Sequence, residues 1–362
     1  MARPGHAQSR ASPPSLFPSF PLFLFSFSFM PPRVLLVRFS SIGDLLLTTP
    51  LLRAIRARHP RAHLAFVVRE DMADTLRHNP RIDELITWRR GSSLAALARR
   101  LRAEPWTHRL DLHGSLRSRL LRQLVPGRWT GYPKYRARRR LLIATHGRRG
   151  GNLGPVAERY FAAARDLEVR PDGAGLEFFT APEDDGRAAD FLARHHLGGS
   201  RPLVALAPGA AHFTKRWPAR HWMALAQQLV TDHDIVVLGG AAERELARAI
   251  AGAARDRASS AAGEFTLEGT AALLKRASRL IAGDTGVLHL ATAVGTPVVG
   301  LYGPTVEAFG FFPYRARAIA LQHDLSCRPC SSQGGPACPL GHHNCLVKLL
   351  PREVIAAIAE SS

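Results

Sequence analysis

Cysteine is scarce in this chain of 362 residues: there are 4, all between Cys327 and Cys345. A secreted disulfide scaffold would spread them, so cross-links are not what stabilises the fold, and a reducing cytosol is the expected compartment. Aromatic residues make up 7% and form no base-stacking pattern, which argues against a single-strand nucleic-acid platform. Long apolar runs are missing too. The one from Leu16 to Met30 is interrupted by Pro18 and Pro21 and falls short of the ~20 residues that a helical bilayer span needs. No small-x-small cleavage site follows it, as one would follow a secretory signal. Residues 1–32 are therefore read as an extension outside the fold, with Met30 as the expected start and a short interfacial anchor as the alternative.

Acidic residues are few where cations are dense. Residues 1–30 carry 2 basic and 0 acidic groups, residues 31–150 carry 26 and 8, and residues 151–362 carry 21 and 21. The net charge of +20 thus belongs to the first half. That implies an anionic partner there: nucleic acid, an anionic membrane surface or a phosphorylated substrate. A genome that writes Arg at every tolerant surface position would also give a basic chain. It would not leave the second half balanced.

What is present is a rhythm. The length suits two domains, each able to bury its own core. Strands are expected at Val34–Val37, Leu64–Val68, Leu85–Trp88, Leu110–Leu112 and Arg128–Gly131, with helices at Asp44–Arg58, Leu94–Arg102 and Ser115–Leu124. Pro171–Gly186, rich in Gly, Pro and Asp, reads as a boundary. After a helix at Arg187–His196 the pattern restarts. Strands follow at Leu203–Ala207, Ile235–Leu238, Leu280–Ala282 and Pro297–Leu301, with helices at Ala219–Val230, Ala242–Ala253, Leu267–Ala277 and Val287–Val294. The fold class is α/β, two Rossmann-like doubly wound domains facing a cleft, at 33–180 and 181–350, with a last helix within 351–362. Ligands of such sheets bind beyond the carboxyl ends of the strands.

Four strand-to-helix loops carry the chemistry. In Ser40-Ser41-Ile42-Gly43-Asp44, backbone N–H groups point at the cleft and Asp44 sits in the first helical turn, where dipole and donors keep a carboxylate ionised. It is either a helix-start residue without chemistry or a base for an attacking hydroxyl. Pro208-Gly209-Ala210, followed by Lys215-Arg216-Trp217-Pro218, sets two cations beside a Gly turn. These suit a diphosphate or are plain surface charge, with Trp217 a core anchor. In Gly239-Gly240-Ala241-Ala242-Glu243, Glu243 either accepts ribose hydroxyls or favours a helix start. Gly283-Asp284-Thr285-Gly286 opens an apolar helix whose first N–H groups, at Thr285 and Gly286, suit phosphate oxygens. Asp284 caps that helix, and His289 lies one turn in, as a donor contact or a structural residue.

Taken together, Arg38 with Ser40–Asp44, Pro208–Ala210 with Lys215–Pro218, Asp284–His289, Gly295–Pro297 and Gly303–Thr305 resemble, in order and spacing, the motifs of the lipopolysaccharide core heptosyltransferases, glycosyltransferase family 9. The resemblance runs from about Arg33 to the C-terminus. It implies a GT-B fold with the acceptor on the N-terminal domain and the nucleotide sugar on the C-terminal one. It implies inverting, metal-independent transfer of heptose from ADP-heptose to the inner core of lipopolysaccharide, without a cofactor. Asp44 would be the general base, Lys215, Thr285 and Gly286 would hold the diphosphate, Glu243 the ribose, and Asp284 and His289 would complete the donor pocket. Ser41, Gly43 and Arg117 would face an anionic lipid A–Kdo acceptor. Such an enzyme would work as a peripheral protein at the cytoplasmic face of the inner membrane, with no nucleic-acid partner. His113 stands where the family usually carries Gln, and Phe39 where a small or polar residue is common; both departures concern the acceptor.

Cys327, Cys330, Cys338 and Cys345, with His342 and His343 nearby, have the ligand types and rough spacing of a structural zinc site. Reduced, unligated thiols are the alternative. Two other functions stand beside the leading one: a glycosyltransferase of the same fold using another nucleotide sugar or another envelope glycan, and a basic nucleic-acid-binding protein.

Overall fold

The structure, a computed structural model, describes residues 1–2 and 30–360. The chain divides into two units, Met1–Met30 and Pro31–Ser362, and both sheets belong to the second. Nearly all of the extension read at 1–32 lies outside the described residues.

The first sheet is built from β1 (Arg33–Val37), β2 (His63–Arg69), β3 (Glu84–Trp88), β4 (His108–Asp111) and β5 (Trp129–Gly131). The second is built from β6 (Leu203–Ala207), β7 (Asp234–Val237), β8 (Ala258–Ser260), β9 (Arg279–Gly283), β10 (Val298–Tyr302) and β11 (Ala318–Gln322). Every pairing is parallel. The orders are β3-β2-β1-β4-β5 and β11-β10-β9-β6-β7-β8. Both therefore reverse direction next to their first strand, between β1 and β4 and between β6 and β9. In an open parallel sheet that reversal opens a crevice at the carboxyl ends of the two strands. Val34–Val37 and all of β6 are buried, as central strands covered on both faces must be.

Helices α1 (Ile42–Leu46), α2 (Thr49–Arg58), α3 (Leu94–Arg102), α4 (Leu116–Leu124), α5 (Arg136–Ala144) and α6 (Val156–Arg159) belong to the first half. The second carries α7 (Pro182–Arg194), α8 (Ala219–Leu229), α9 (Arg244–Ala253), α10 (Leu267–Arg276), α11 (Gly286–Ala293), α12 (Asn344–Val347) and α13 (Pro351–Ala359). Each half has an apolar cluster of its own on one face of its sheet, and a third cluster joins the two halves. One apolar cluster contains Val34 and Leu36 of β1 together with Leu203 of β6, Leu280 of β9 and Leu288 of α11. Among the described residues no helix is long and apolar enough to cross a membrane.

Some elements differ from the sequence reading. The single helix expected at 44–58 is two, because the Thr48 and Thr49 hydroxyls donate to the carbonyls of Leu45 and Leu46, at 2.6 and 2.8 Å, and Pro50 has no N–H with which to continue the ladder. Helix α7 starts at Pro182 rather than Arg187, with Pro at its first position and Glu183, Asp184 and Asp185 in its first turn, all favourable at a helix start. Strands β8 and β11 and helix α5 were not foreseen.

Candidate active site

The two crevices face each other across a cavity of about 580 Å3 lined by residues of both halves. The β1–α1 loop supplies Arg38 and Ser40–Asp44, and the ends of β4 and β5 supply His113, Tyr132 and Lys134. From the second half come His212, Lys215, Asp284, Thr285, Gly286 and His289. Helices α1 and α11 meet at their first turns. A Cβ on Gly43 would stand 2.6 Å from Cδ2 of His289, and one on Gly286 would stand 3.1 Å from Cβ of Ile42. Only glycine allows that approach.

Asp44 is fixed from two sides. Its Oδ1 lies 2.6 Å from Nη2 of Arg38, and its Oδ2 accepts the Ser41 hydroxyl at 2.9 Å. Burial pushes this carboxyl up, but the Arg38 guanidinium and the Ser41 hydrogen bonds outweigh it and hold the group below the usual carboxylate range. Arg38 itself has little left for a ligand. Its Nε donates to Ser40 O at 2.9 Å and its Nη1 to Leu112 O at 2.6 Å and to the Tyr132 hydroxyl at 3.3 Å. Burial would lower its pKa, but Asp44, Tyr160 and Tyr132 raise it above the ordinary value.

Beside Asp44, burial and the charges of Arg38 and Lys134 push the His113 imidazole down to about 3. It is therefore a neutral polar group at working pH. Lys134 is pushed down to about 8, by burial and by Arg38 and Arg136.

On the opposite wall, Lys215 Nζ lies 2.6 Å from Oδ2 of Asp284, and the Thr305 hydroxyl donates to the same oxygen at 2.8 Å. The ammonium is thereby aimed at the start of α11. The N-cap of α11 is Thr285, in extended conformation and with no side-chain cap bond, rather than Asp284 as the sequence suggested, because the Asp284 carboxylate is taken by Lys215 and Thr305; this leaves the N-terminal N–H groups to meet an anion. The Thr285 hydroxyl and His289 Nδ1 are buried without a hydrogen-bond partner in the protein; such atoms call for a polar ligand or water. Burial keeps the His289 pKa below its ordinary value, although Asp284 and Asp44 pull the other way.

The structure thus brings Asp44, Ser41, Gly43, Lys215, Asp284, Thr285, Gly286 and His289 to one cavity. It does not bring Glu243 and Arg117 to that lining. Glu243 accepts the Gly240 N–H at 2.8 Å and lies beside Gly209 at the tips of β6 and β7. Arg117 stacks over Trp88, 4.8 Å from the ring centroid. The zinc reading finds no ligand set: the four cysteines are free, and among the described residues no three His, Cys, Asp or Glu side chains are arranged to hold a metal. Burial pushes the Cys345 thiol up to about 11. The segment instead straps the second crevice. Arg328 donates to the carbonyls of Gly303 and Thr305, at 2.6 and 2.7 Å, Gly335 N–H donates to the Thr214 hydroxyl at 2.8 Å, and Ser332 and Gln333 reach the cavity.

Sequence reasoning also missed Lys134, Arg139 and the aromatic wall of Phe309, Phe311 and Phe312. Three phenylalanines within four residues just after Gly303–Thr305, in a chain poor in aromatics, were an available signal. That wall is tied to the first half by Arg159, whose Nη2 donates to Phe309 O at 2.9 Å.

Comparison with known proteins agrees with this geometry. Lipopolysaccharide heptosyltransferase 2 of Salmonella typhimurium is 26% identical over 348 residues, 89% of this chain and 96% of that one. The glycosyl transferase family 9 structure from Veillonella parvula superposes with a TM-score of 0.78 at 25% identity, covering 91% of this chain and 97% of that one. An E. coli heptosyltransferase solved with ADP-2-deoxy-2-fluoro heptose shares the fold, with a TM-score of 0.67 at 23% identity over 91% of this chain and all of that one. Two Rossmann-like halves in the GT-B arrangement are common to them. The family model for glycosyltransferase family 9 (heptosyltransferase) matches residues 94–339, and the chain belongs to that family of glycosyltransferases.

Proposed function

We propose that the enzyme moves heptose from ADP-heptose onto an anionic inner-core lipopolysaccharide acceptor, with inversion and without a metal. The observation that carries this is an ionised Asp44 sharing one cavity with the Lys215 ammonium and the start of α11. In this reading the acceptor hydroxyl gives its proton to Asp44 as its oxygen bonds to the anomeric carbon. The bond to the diphosphate breaks on the far side of that carbon. Lys215 and the N–H groups of Thr285 and Gly286 stabilise the charge that develops on the leaving ADP, the task a metal performs elsewhere. A carboxylate held below the usual range is a weak base, but the hydroxyl becomes acidic only as the new bond forms, so a weak base suffices in the transition state. Lys134 and Arg139 supply positive charge toward an acceptor bearing phosphate or carboxylate.

The test is transfer from ADP-heptose to a lipid A–Kdo acceptor by wild type and by Asp44→Asn, with and without EDTA. Turnover of the variant is expected to fall on the order of 10³-fold, while ADP affinity by calorimetry is unchanged and EDTA has no effect on wild type. Near-normal turnover by Asp44→Asn removes the proposed base, and faster transfer from another nucleotide sugar removes the proposed donor.

A further inference from the structure

Between Asp111 and Glu158 the chain carries 11 Lys or Arg and no Asp or Glu. Helix α4 lies in this stretch, and its outer face carries a line of leucines among Arg117, Arg119, Arg122 and Gln123. Leu116, Leu120 and Leu124 are 77%, 41% and 36% exposed, and their spacing stacks them in one line along the helix. The inner face is already occupied: Ser118, Leu121 and Val125 are buried. A second apolar line, in water and flanked by arginines, is the pattern of a helix that lies in a lipid–water interface.

Next to it, α4 and the start of α5 enclose a recess of about 370 Å3 lined by Arg119, Arg122, Lys134 and Arg136. Its one carboxylate, Asp111, is buried, accepts from the N–H groups of His113 and Gly114 and the Ser118 hydroxyl at 3.0, 2.8 and 3.1 Å, and lies 3.8 Å from Nη1 of Arg122, which leaves Arg119, Lys134 and Arg136 unmatched by it. The recess therefore presents an excess of positive charge. Tyr132 and Lys134 line both this recess and the reaction cavity.

We propose that α4 and the start of α5 are a membrane-docking face. The three leucines enter the headgroup layer of an anionic bilayer, and the recess takes the phosphate of a lipid. A nucleic acid would use the cations and leave the leucine line without a purpose, which is why lipid is the assigned occupant. The inference rests on the proposed function only in its purpose, to bring the cavity to a lipid-borne acceptor. Vesicle binding is read without any transfer reaction, so the two fail separately.

The test is flotation of the full chain with vesicles of phosphatidylcholine alone and of phosphatidylcholine mixed with phosphatidylglycerol. Wild type is expected to float with the mixed vesicles, and salt is expected to weaken this. The triple variant Leu116→Gln, Leu120→Gln, Leu124→Gln is expected to lose about tenfold or more in partition, with unchanged circular dichroism, melting and ADP affinity. Arg119→Gln and Arg122→Gln should each cost about fivefold. Wild type and variants share residues 1–30, so any contribution of that segment cancels. The proposal is overturned if the leucine variant floats as well as wild type. It is equally overturned if wild type ignores the mixed vesicles and binds single-stranded nucleic acid independently of the leucines.

Discussion

The two halves place an acid–cation pair at the same point of the same topology and use opposite members of it. After β1, Arg38 meets Asp44 at 2.6 Å; around β6 and β9, Lys215 meets Asp284 at 2.6 Å. In the first pair the cation is the fully engaged partner, with three further acceptors, and the carboxylate keeps 20% of its side chain open to the cavity. In the second pair the acid is held by Thr305 and only 8% open, while the lysine keeps 14%. On the proposed mechanism, the member held by more protein partners is scaffold, and the other faces substrate. One side of the cavity therefore offers a fixed negative charge and the other a fixed positive one, which is what withdrawing a proton here and releasing an anion there requires.

If Arg38 is scaffold, Arg38→Gln should cost the fold most, because it leaves the partly buried carboxylate of Asp44 without its cation at a cost of about 1–3 kcal/mol, read by denaturant unfolding. The sign follows from the depressed carboxyl of Asp44. The pair's contribution is complete above the unfolded value of about 3.9 and is lost as pH falls through the lower folded value. In the variant the acid limb of kcat/KM should move to higher pH, and an unmoved limb would break the assignment. If Lys215 is the working member, Lys215→Met should lower kcat on the order of 10²–10³-fold and weaken ADP binding, while Asp284 stays folded around Thr305. Intact ADP affinity would reverse the roles drawn here.

The strap is next. A lysine at 328 cannot reach both Gly303 O and Thr305 O, so Arg328→Lys should raise KM for the nucleotide sugar about tenfold, the cost of one or two charged hydrogen bonds, with a smaller change in kcat. The smallest effect concerns Lys134. Since burial, Arg38 and Arg136 push its ammonium down to about 8, it loses charge as pH rises through that value. KM for an anionic acceptor should then rise a few-fold between about pH 7 and 9. Lys134→Arg, which stays charged throughout, should flatten that rise.

The parts that were legible in the sequence are those where local pattern and global packing agree. Central strands such as Val34–Val37 and Leu203–Ala207 read as apolar runs because both faces are covered. The loops at the two reversals read through Ser, Gly and Asp, because turn chemistry and anion binding ask for the same residues. What stayed hidden depends on partners distant in sequence. The edge strand β11 is only partly covered, with alternate residues exposed, and its run Ala318–Leu321 is short, half alanine, and preceded by Arg315 and Arg317. Helix α5, Arg-Ala-Arg-Arg-Arg at its start, buries only Leu142, so no apolar periodicity announced it. Lys134 and Arg139 are ordinary cations in a basic stretch until the fold turns them into the cavity.

One consequence follows from the glycines at which α1 and α11 touch. A side chain on Gly43 would press on the His289 imidazole and one on Gly286 on the Ile42 side chain, so the gap between the starts of α1 and α11 is set by how closely those two residues let the glycine main chains approach. Side chains elsewhere in the cavity can drift, and with them the range of sugars and lipids accepted. The spacing between the two helix starts is gauged instead by two glycines and the pair of side chains, His289 and Ile42, that press on them.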